Sequence, residues 1–363
     1  MPKAAPVLAL LAALGSAAPA AAAEETLPDR VDRHLRTKAS GPFSGVALVA
    51  QFGQIWFHRA YGHASAEASV PNATNTRFAI ASLTKPITAA AVLRQVELGK
   101  IRLDASICDY LTACPRRWKP VTIRHLLSHT SGLPDLFEKV SPSSATTFRP
   151  AIDAAVAAHG AGALSSRPGS RYAYNNFNYF LLGYALEAVT GESWDAAVRG
   201  AVLAPAAMAG TRYDVKPPAA PGAASGYRRV DAGRVIAAPH FSPAAYAAGG
   251  LVSTAEDLLR FEGALSGGKI VEAGTLQLMT RPGLGRYGLG WQVLKQFGRM
   301  QRNHTGQLPG YASHIARYDD GTTIILLSNV DNEPAQDTAC EIAALSFGLP
   351  LPEPGKPACP PAA

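Results

Sequence analysis

Residues 78–86 of this 363-residue chain read Phe78-Ala79-Ile80-Ala81-Ser82-Leu83-Thr84-Lys85-Pro86, with a hydroxyl at Ser82 three positions before an amine at Lys85. The alanine-rich run at residues 87–96 favours a helix. A helix that begins at or just before Ser82 would present both side chains on one face, and Pro86 is compatible with its first turn. A serine beside a lysine at a helix N-terminus is one way to make a nucleophile. Because this spacing is common in alanine-rich helices, the other segments must decide whether the pair is catalytic.

The N-terminal 23 residues have the composition of a secretory signal peptide. Lys3 precedes an apolar run at residues 4–18, and Ala21-Ala22-Ala23 provides a small-residue cleavage site. The apolar run is short for a membrane span, so no stable membrane anchor is predicted. We therefore expect cleavage after Ala23 and a secreted or periplasmic mature chain.

Composition and charge exclude several classes of partner. The chain is 47% hydrophobic and 17% charged, as in globular proteins, with a formal net charge of +7. The positive charges are scattered, with no run of five or six, so no nucleic-acid partner is predicted. The G-x-S-x-G, G-x-G-x-x-G and P-loop patterns are absent from the sequence. We expect no cofactor, and the sequence leaves the oligomeric state open.

Four cysteines match an oxidising compartment. They allow three pairings. We favour Cys108–Cys114, which closes a short loop, and Cys340–Cys359, which would attach the Pro-rich tail at residues 349–363 to the last helix.

Strand patterns lie near both ends of the chain, and helical patterns lie between them. Segments 45–50 and 55–58 flank a Gly-containing hairpin signal, and segments 311–318 and 322–330 flank Asp319-Asp320-Gly321, a strong turn signal. A further strand is predicted at residues 287–294, and an irregular connection at 212–245. The predicted helices are 87–99, 122–128, 151–158, 177–190, 194–202 and 254–265. This order predicts an α/β (α+β) protein, with one antiparallel sheet from about residues 40–62 and 287–330, flanked by helices, and a mostly helical insertion at about 100–245.

Two further segments carry candidate chemistry. Tyr174 and Asn176 stand on a turn entering a predicted helix, where polar side chains face a cleft and Asn176 would also cap the helix. His304-Thr305-Gly306 leads into a predicted strand, and Gly306 permits close approach of a ligand to the backbone. Each segment alone is equally compatible with an ordinary cap or loop.

His125 and His129 are four residues apart on a helical pattern, a spacing that can bind zinc. The glutamate of the H-E-x-x-H motif is missing, and no third ligand is evident. No metal site is predicted, and a zinc hydrolase remains a minor alternative.

The three motifs together resemble those of the serine penicillin-recognising enzymes. S-x-x-K at Ser82 and Lys85, Y-x-N at Tyr174 and Asn176, and H-T-G at residues 304–306 match them in order and spacing. The likeness is strongest to the branch that contains class C β-lactamases, D-alanyl-D-alanine carboxypeptidases, D-amino-acid peptidases and esterases, and it runs from about residue 30 to 347. Segments 122–134 and 248–258 resemble the same branch. The resemblance implies a β-lactamase/transpeptidase-like fold, with one catalytic domain at residues 24–348.

The resemblance also implies roles for individual residues. Ser82 would be acylated, and Lys85 and Tyr174 would take its proton and pass it to the leaving group. A free lysine is only about 0.04% neutral at pH 7, so Lys85 would need desolvation to act as a base. The sequence does not decide which of the two is the base. The oxyanion hole would be formed by the backbone N–H groups of Ser82 and Gln307. Asn176 would bind the substrate's amide or hold Lys85 in place. The implied substrate-binding residues are Asn176, His304, Thr305, Gly306 and Gln307.

One departure narrows the expected activity. His304 stands where class C β-lactamases usually carry lysine, and H-T-G is more similar to the carboxypeptidase, D-aminopeptidase and esterase members. We therefore expect an exported serine hydrolase that acts on D-alanyl peptides of the cell-wall type or on small esters. The alternatives are a class C-like β-lactamase and a non-catalytic sensor or binding module of the same fold.

Overall fold

The computed structural model describes residues 1, 25–38, 41–140, 148–213, 222–231, 234–238, 245–351, 353 and 359. The predicted signal peptide lies outside the described residues except for Met1, as does most of the Pro-rich tail. No helix in the described ranges is long and apolar enough to cross a membrane.

Ten α-helices lie within the described residues. They are α1 Leu27–Arg36, α2 Thr84–Glu97, α3 Ile123–Leu127, α4 Phe148–His159, α5 Asn176–Thr190, α6 Trp194–Val198, α7 Tyr246–Gly249, α8 Ala255–Ser266, α9 Ala273–Met279 and α10 Ala335–Ser346.

Thirteen strands accompany these helices in the same part of the chain. They are β1 Gly45–Gln51, β2 Gln54–Tyr61, β3 His63–Ser65, β4 Val70–Pro71, β5 Phe78–Ala79, β6 Arg212–Tyr213, β7 Tyr227–Arg229, β8 Val235–Ala237, β9 Leu251–Ser253, β10 Gln292–Gln296, β11 Arg299–Leu308, β12 Tyr311–Tyr318 and β13 Thr322–Ser328.

One six-stranded antiparallel sheet organises the fold, in the order β10-β11-β12-β13-β1-β2. The N-terminal strand β1 pairs with the C-terminal strand β13, from Gly45 opposite Ser328 to Gln51 opposite Thr322. Most of the helical segments come between β2 and β10. This architecture confirms the predicted fold class.

The sheet is buried on both faces. Along β1, Val46 and Leu48 contribute to the large core beneath the helical insertion, whereas Ala47 and Val49 belong to a second core. This alternation follows from the two-residue period of a strand. Helices α1 and α10 cover the second core through residues such as Val31 and Ile342. The segment that carries Ser82 lies on the first face, packed against the helical insertion.

The observed elements differ from the sequence prediction in several places. The strand predicted at residues 287–294 is shifted to Gln292–Gln296, and the longer strand Arg299–Leu308 was not predicted. The segment predicted to be irregular, 212–245, contains three short strands in its described part, β6, β7 and β8. Helix α1 was also missed, although Thr26 caps it and Val31 and Leu35 give it a buried face.

Two disulfide bonds confirm the predicted pairings. Cys108 is bonded to Cys114 and Cys340 to Cys359, and no cysteine is free. The second bond attaches Cys359 of the tail to α10.

Candidate active site

Ser82 lies in a tight turn immediately before α2. Residues 81–83 form a single 3-10 turn, and α2 continues from Thr84, as the sequence predicts. Ala81 has a φ of +49°, in the left-handed region that residues with a Cβ disfavour. The turn is held by the Ile80 N–H, which donates to the Leu251 carbonyl at 3.0 Å. The strained turn leaves Ser82 half-buried at the surface of the cleft.

Lys85 is fully buried, and its Nζ lies near three acceptors. The Nζ is 2.9 Å from Ser82 Oγ, 2.8 Å from Asn176 Oδ1 and 2.8 Å from the Ala248 carbonyl oxygen. Burial lowers the Lys85 pKa to about 7, while the negative charge of Asp135 acts to raise it. At neutral pH a substantial fraction of this amine is therefore uncharged.

Tyr174 reaches Ser82 from the opposite side. Its hydroxyl donates to Ser82 Oγ at 3.0 Å. Tyr174 as a whole is 43% exposed, and desolvation of its phenol raises the Tyr174 pKa above its ordinary value. The rings of Tyr174 and Tyr179 lie 4.9 and 5.5 Å from Lys85 Nζ, close enough for cation–π stabilisation of the protonated lysine.

The start of α5 positions Asn176. Asn176 is the first helical residue, and the helix cap is Asn175, whose side chain accepts from the Asn178 N–H at 3.2 Å. The prediction that Asn176 also caps the helix was therefore wrong. Because Asn175 supplies the cap, the Asn176 amide is available to accept from Lys85.

Asp135 was missed by sequence reasoning. Its carboxylate accepts from the backbone N–H groups of Asn176 and Phe177, each at 3.2 Å. An anion at a helix N-terminus is favoured by the helix dipole. The only sequence signal was an acidic residue after Leu133-Pro134, 41 positions before the helix that it stabilises, and that spacing follows no local rule.

His304 is buried in β11 and faces the same cleft. Its Nδ1 donates to the Thr305 carbonyl and its Nε2 accepts from the Tyr287 hydroxyl, both at 2.9 Å. This pattern fits a neutral imidazole. Burial and the nearby Lys85 lower the His304 pKa to about 3, so the ring is uncharged at neutral pH. Its centroid is 6.3 Å from that of Tyr174.

The remaining residues of the third motif are divided between the two faces of β11. Gly306 contacts the turn at Ser82, where a Cβ at this position would lie 3.0 Å from Ala81 Cβ. The Thr305 hydroxyl instead lies 2.9 Å from His314 Nδ1 and 3.2 Å from Gln336 Oε1. The side chain of Gln307 donates to the Asp331 carbonyl at 2.9 Å. The structure thus brings five predicted side chains together but not those of Thr305 and Gln307. The five are Ser82, Lys85, Tyr174, Asn176 and His304.

The two histidines of the helical pattern have structural contacts. His125 and Thr122 form a capping box at the start of α3. His129 is fully buried, its ring 4.3 Å from that of Tyr174, and its Nδ1 accepts from the Asn175 N–H at 3.2 Å. His129 therefore supports Tyr174 and the start of α5. Across the described ranges, no group of three His, Cys, Asp or Glu side chains is arranged to hold a metal ion.

Known proteins are similar to this chain in sequence and in fold. Penicillin-binding protein 4* of Bacillus subtilis is 29% identical over 343 residues, covering 87% of this chain and 75% of its own. Esterase EstB of Burkholderia gladioli is 36% identical over 177 residues, 45% of each chain. The structure of D-amino acid amidase from Ochrobactrum anthropi SV3 superposes with a TM-score of 0.71 at 25% identity, covering 88% of this chain and 97% of the amidase.

The family comparison covers nearly the whole described chain. The sequence profile of the beta-lactamase family matches residues 24–348. This range contains both strand groups and the helical insertion. The chain therefore belongs to the beta-lactamase family of serine hydrolases.

Proposed function

We propose that this chain is a serine acyl hydrolase that forms an acyl-enzyme on Ser82 and cleaves D-alanyl peptides or small esters. The observation that carries the proposal is the pair of hydrogen bonds to Ser82 Oγ, from Lys85 Nζ at 2.9 Å and Tyr174 at 3.0 Å. A hydroxyl held between an amine and a phenol has both a base and a proton donor within reach.

Lys85 is the proposed base. In its neutral form the amine keeps two hydrogens, and two of its three neighbours, Asn176 Oδ1 and the Ala248 carbonyl, can only accept. The lone pair is then directed at the third neighbour, the Ser82 hydroxyl. Since the Lys85 pKa is about 7, this form is well populated at neutral pH.

Tyr174 is the proposed proton donor to the leaving group. Burial raises its pKa, so the phenol stays protonated at neutral pH. During acylation Ser82 Oγ bonds to the substrate carbonyl carbon and gives its proton to Lys85. Collapse of the tetrahedral intermediate breaks the bond to the leaving group, which takes a proton from Tyr174. Water then releases the acyl group in the reverse sequence.

The proposed oxyanion hole consists of the Ser82 and Gln307 backbone N–H groups. Leu308 opposite Tyr311 closes the β11–β12 hairpin, so Gln307 and Ala312 form the next pair. Antiparallel pairs alternate between bonded and non-bonded types, which directs the Gln307 N–H away from β12. The free edge of β11 at this point faces the nucleophile turn, because Gly306 contacts Ala81.

Within the proposed substrates, the charges around the site favour small esters and amides over peptides that carry a carboxylate next to the scissile bond. His304 is neutral, and Asp135 places a carboxylate near Lys85. The related esterase and D-amino acid amidase support this substrate class.

His304→Lys should raise the rate with nitrocefin relative to that with p-nitrophenyl butyrate, because it adds a cation. An unchanged ratio would contradict this use of His304.

The deciding experiment is covalent labelling. The protein is incubated with a fluorophosphonate and, separately, with a fluorescent penicillin, and the adduct is located by peptide mass mapping. We expect an adduct on Ser82 that is lost in Ser82→Ala and retained in Ser346→Ala, a matched variant on α10. Folded wild-type protein that gives no adduct on Ser82 with either probe would overturn the mechanism. Rates with a D-Ala-D-Ala peptide, a D-amino acid amide, p-nitrophenyl butyrate and nitrocefin then identify the substrate class.

We also propose that residues 24–348 form one catalytic domain and that the chain is exported. The two disulfides, typical of oxidising compartments, support export. N-terminal sequencing of the protein recovered outside the cytoplasm should begin at Glu24, whereas a retained Met1 would contradict cleavage.

A further inference from the structure

Two loops meet beside the proposed nucleophile. They consist of residues 165–173 and 281–287. The Gly285 backbone packs directly on the Tyr172 ring, and the rings of Tyr172 and Tyr287 are 5.8 Å apart. The first loop leads into Tyr174, and the second ends at Tyr287, which donates to His304. The two loops therefore form a wall of the candidate site.

These loops carry a concentration of positive charge without acidic residues. Neither loop contains Asp or Glu. Each contributes two exposed arginines, and in the described part of the chain none of the four side chains has an ion pair. The four are Arg167, Arg171, Arg281 and Arg286.

Several other exposed arginines of this protein are paired. Examples are Arg33 with Glu25, Arg59 with Asp32 and Arg228 with Asp331. Arg102, Arg116 and Arg117 are also exposed and without an ion pair in the described ranges, so the two loops are distinguished by their place beside Ser82 and by carrying four such arginines.

A cleft of about 380 Å³ lies between the loops, with α3 as its floor. Arg281 and Gly169 line it from the two loops, and Tyr287 connects it to His304. Arg124 on the floor is bonded to Asp104 through both Nε and Nη2, so that carboxylate is already occupied. Most of the surface that lines the cleft is apolar, and Arg281 is the one arginine that the two loops contribute to its lining.

The backbone of the second loop is strained where it presents an arginine. Gly285 and Arg286 have consecutive left-handed φ values of +65° and +58°. A residue with a side chain in this region costs about 1 kcal/mol. Strain of this kind is concentrated at functional sites. Glycine would relieve it at position 286, yet an arginine is present.

We propose that the arginines of these two loops bind an anionic group of the substrate, a carboxylate or a phosphate, located away from the scissile carbonyl. Guanidinium groups bind both anions through paired hydrogen bonds. The inference rests on the proposed hydrolase function and names a feature of its substrate. It is compatible with the neutral His304, because the anion is bound at the loops and the scissile bond lies at Ser82.

The test compares matched esters. Wild type and the double variant Arg171→Gln/Arg286→Gln are assayed with neutral p-nitrophenyl butyrate and with three anionic esters. Mono-p-nitrophenyl glutarate carries a carboxylate on the acyl side, 4-butyryloxybenzoate carries one on the leaving side, and 4-butyryloxyphenyl phosphate carries a phosphate. We expect kcat/KM for at least one anionic ester to fall about tenfold through KM, with p-nitrophenyl butyrate unchanged. The ester whose kcat/KM falls identifies which anion is bound and whether it lies on the acyl side or the leaving-group side of the scissile bond. Arg281→Gln should act in the same direction.

The control is Arg30→Gln/Arg33→Gln on α1, on the opposite face of the sheet, which makes the same change in net charge. An equal loss in this control, or no loss for any anionic ester in the loop variant, would overturn the subsite. Absence of hydrolysis of every ester by wild type would instead refute the proposed function. The subsite would then be tested by the increase in Tm that glutarate or inorganic phosphate gives at constant ionic strength. An increase that the loop variant lacks would support it, and equal increases in both proteins would refute it.

Discussion

Lys85 illustrates the cost of a buried base. Its pKa of about 7 against an ordinary value of 10.5 means that the folded protein binds this proton more weakly than the unfolded chain. The penalty at neutral pH is about 4 kcal/mol. The three acceptors around Nζ and the two tyrosine rings offset part of it.

We predict that Lys85→Met abolishes acylation and changes how stability depends on pH. Between about pH 7 and 10.5 the unfolded wild-type chain binds more protons at this position, so its free energy of unfolding rises with pH. Lys85→Met lacks the titrating amine and therefore this pH dependence. The difference between the free energies of unfolding of the two proteins should become smaller as the pH rises. Urea unfolding at several pH values measures it. A difference that does not vary with pH would show that the lysine is not desolvated.

A second prediction concerns Asp135. Because its charge raises the Lys85 pKa, Asp135→Asn should move the acidic limb of the kcat/KM profile to lower pH. The Asn Oδ1 can still accept from one of the two N–H groups at the start of α5, so the fold should be retained. Asp29→Asn on α1 is the matched control and should leave the profile in place. If the acidic limb of the kcat/KM profile does not move in Asp135→Asn, the charge of Asp135 does not influence the Lys85 pKa.

At the scale of elements, the close approach of β11 to the turn at Ser82 determines the geometry of the candidate site. Gly306 has no space for a side chain, because a Cβ would lie 2.5 Å from the Ile80 carbonyl oxygen and would overlap Ser313 Oγ. The same two residues are joined by a hydrogen bond from Ser313 Oγ to the Ile80 carbonyl at 2.8 Å. A side chain here would separate the strand from the turn.

We predict that Gly306→Ala lowers kcat/KM at least tenfold and destabilises the protein by about 1–3 kcal/mol through overpacking. Gly263→Ala is the control, since this exposed glycine within α8 has open space around it and should be stabilised by about 0.5–1 kcal/mol. Steady-state kinetics and thermal unfolding measure both effects. Normal activity in Gly306→Ala would mean that catalysis does not need the close approach of β11 to the turn at Ser82.

The sequence predicted the apolar elements of the fold and missed the polar ones. Strand β1 and helix α2 have clear apolar or alanine-rich patterns, and both were found. Strand β11 was missed because it reads Arg-Met-Gln-Arg-Asn-His-Thr-Gly-Gln-Leu, with buried polar side chains such as Gln301 and Asn303 in place of apolar ones. Asp135 was missed because its partners lie far away in sequence. The nucleophile motif was recognisable because hydroxyl and amine share one helical turn.

At the scale of the whole molecule, two disulfides of different loop length cross-link the chain. They span 6 and 19 residues. Loop-closure entropy predicts that removing Cys340–Cys359 costs about 3 kcal/mol and removing Cys108–Cys114 about 2 kcal/mol. Paired Cys→Ser variants, compared by urea unfolding, test this order. The reverse order would show that native contacts outweigh chain entropy, and thiol titration of denatured wild type should find no free cysteine.

The pairing of β1 with β13 has a consequence for the biosynthesis of the protein. Residue 45 cannot find its partner until residue 328 has been made, so the central ladder of the sheet forms only when translation is nearly complete. Pairings between such distant residues form slowly. Strand β11, which flanks the nucleophile, reaches its place through β12 and β13. For the export proposed above, this order of folding allows the nascent chain to pass through a translocation channel unfolded, and the candidate site assembles only after both ends of the chain have met.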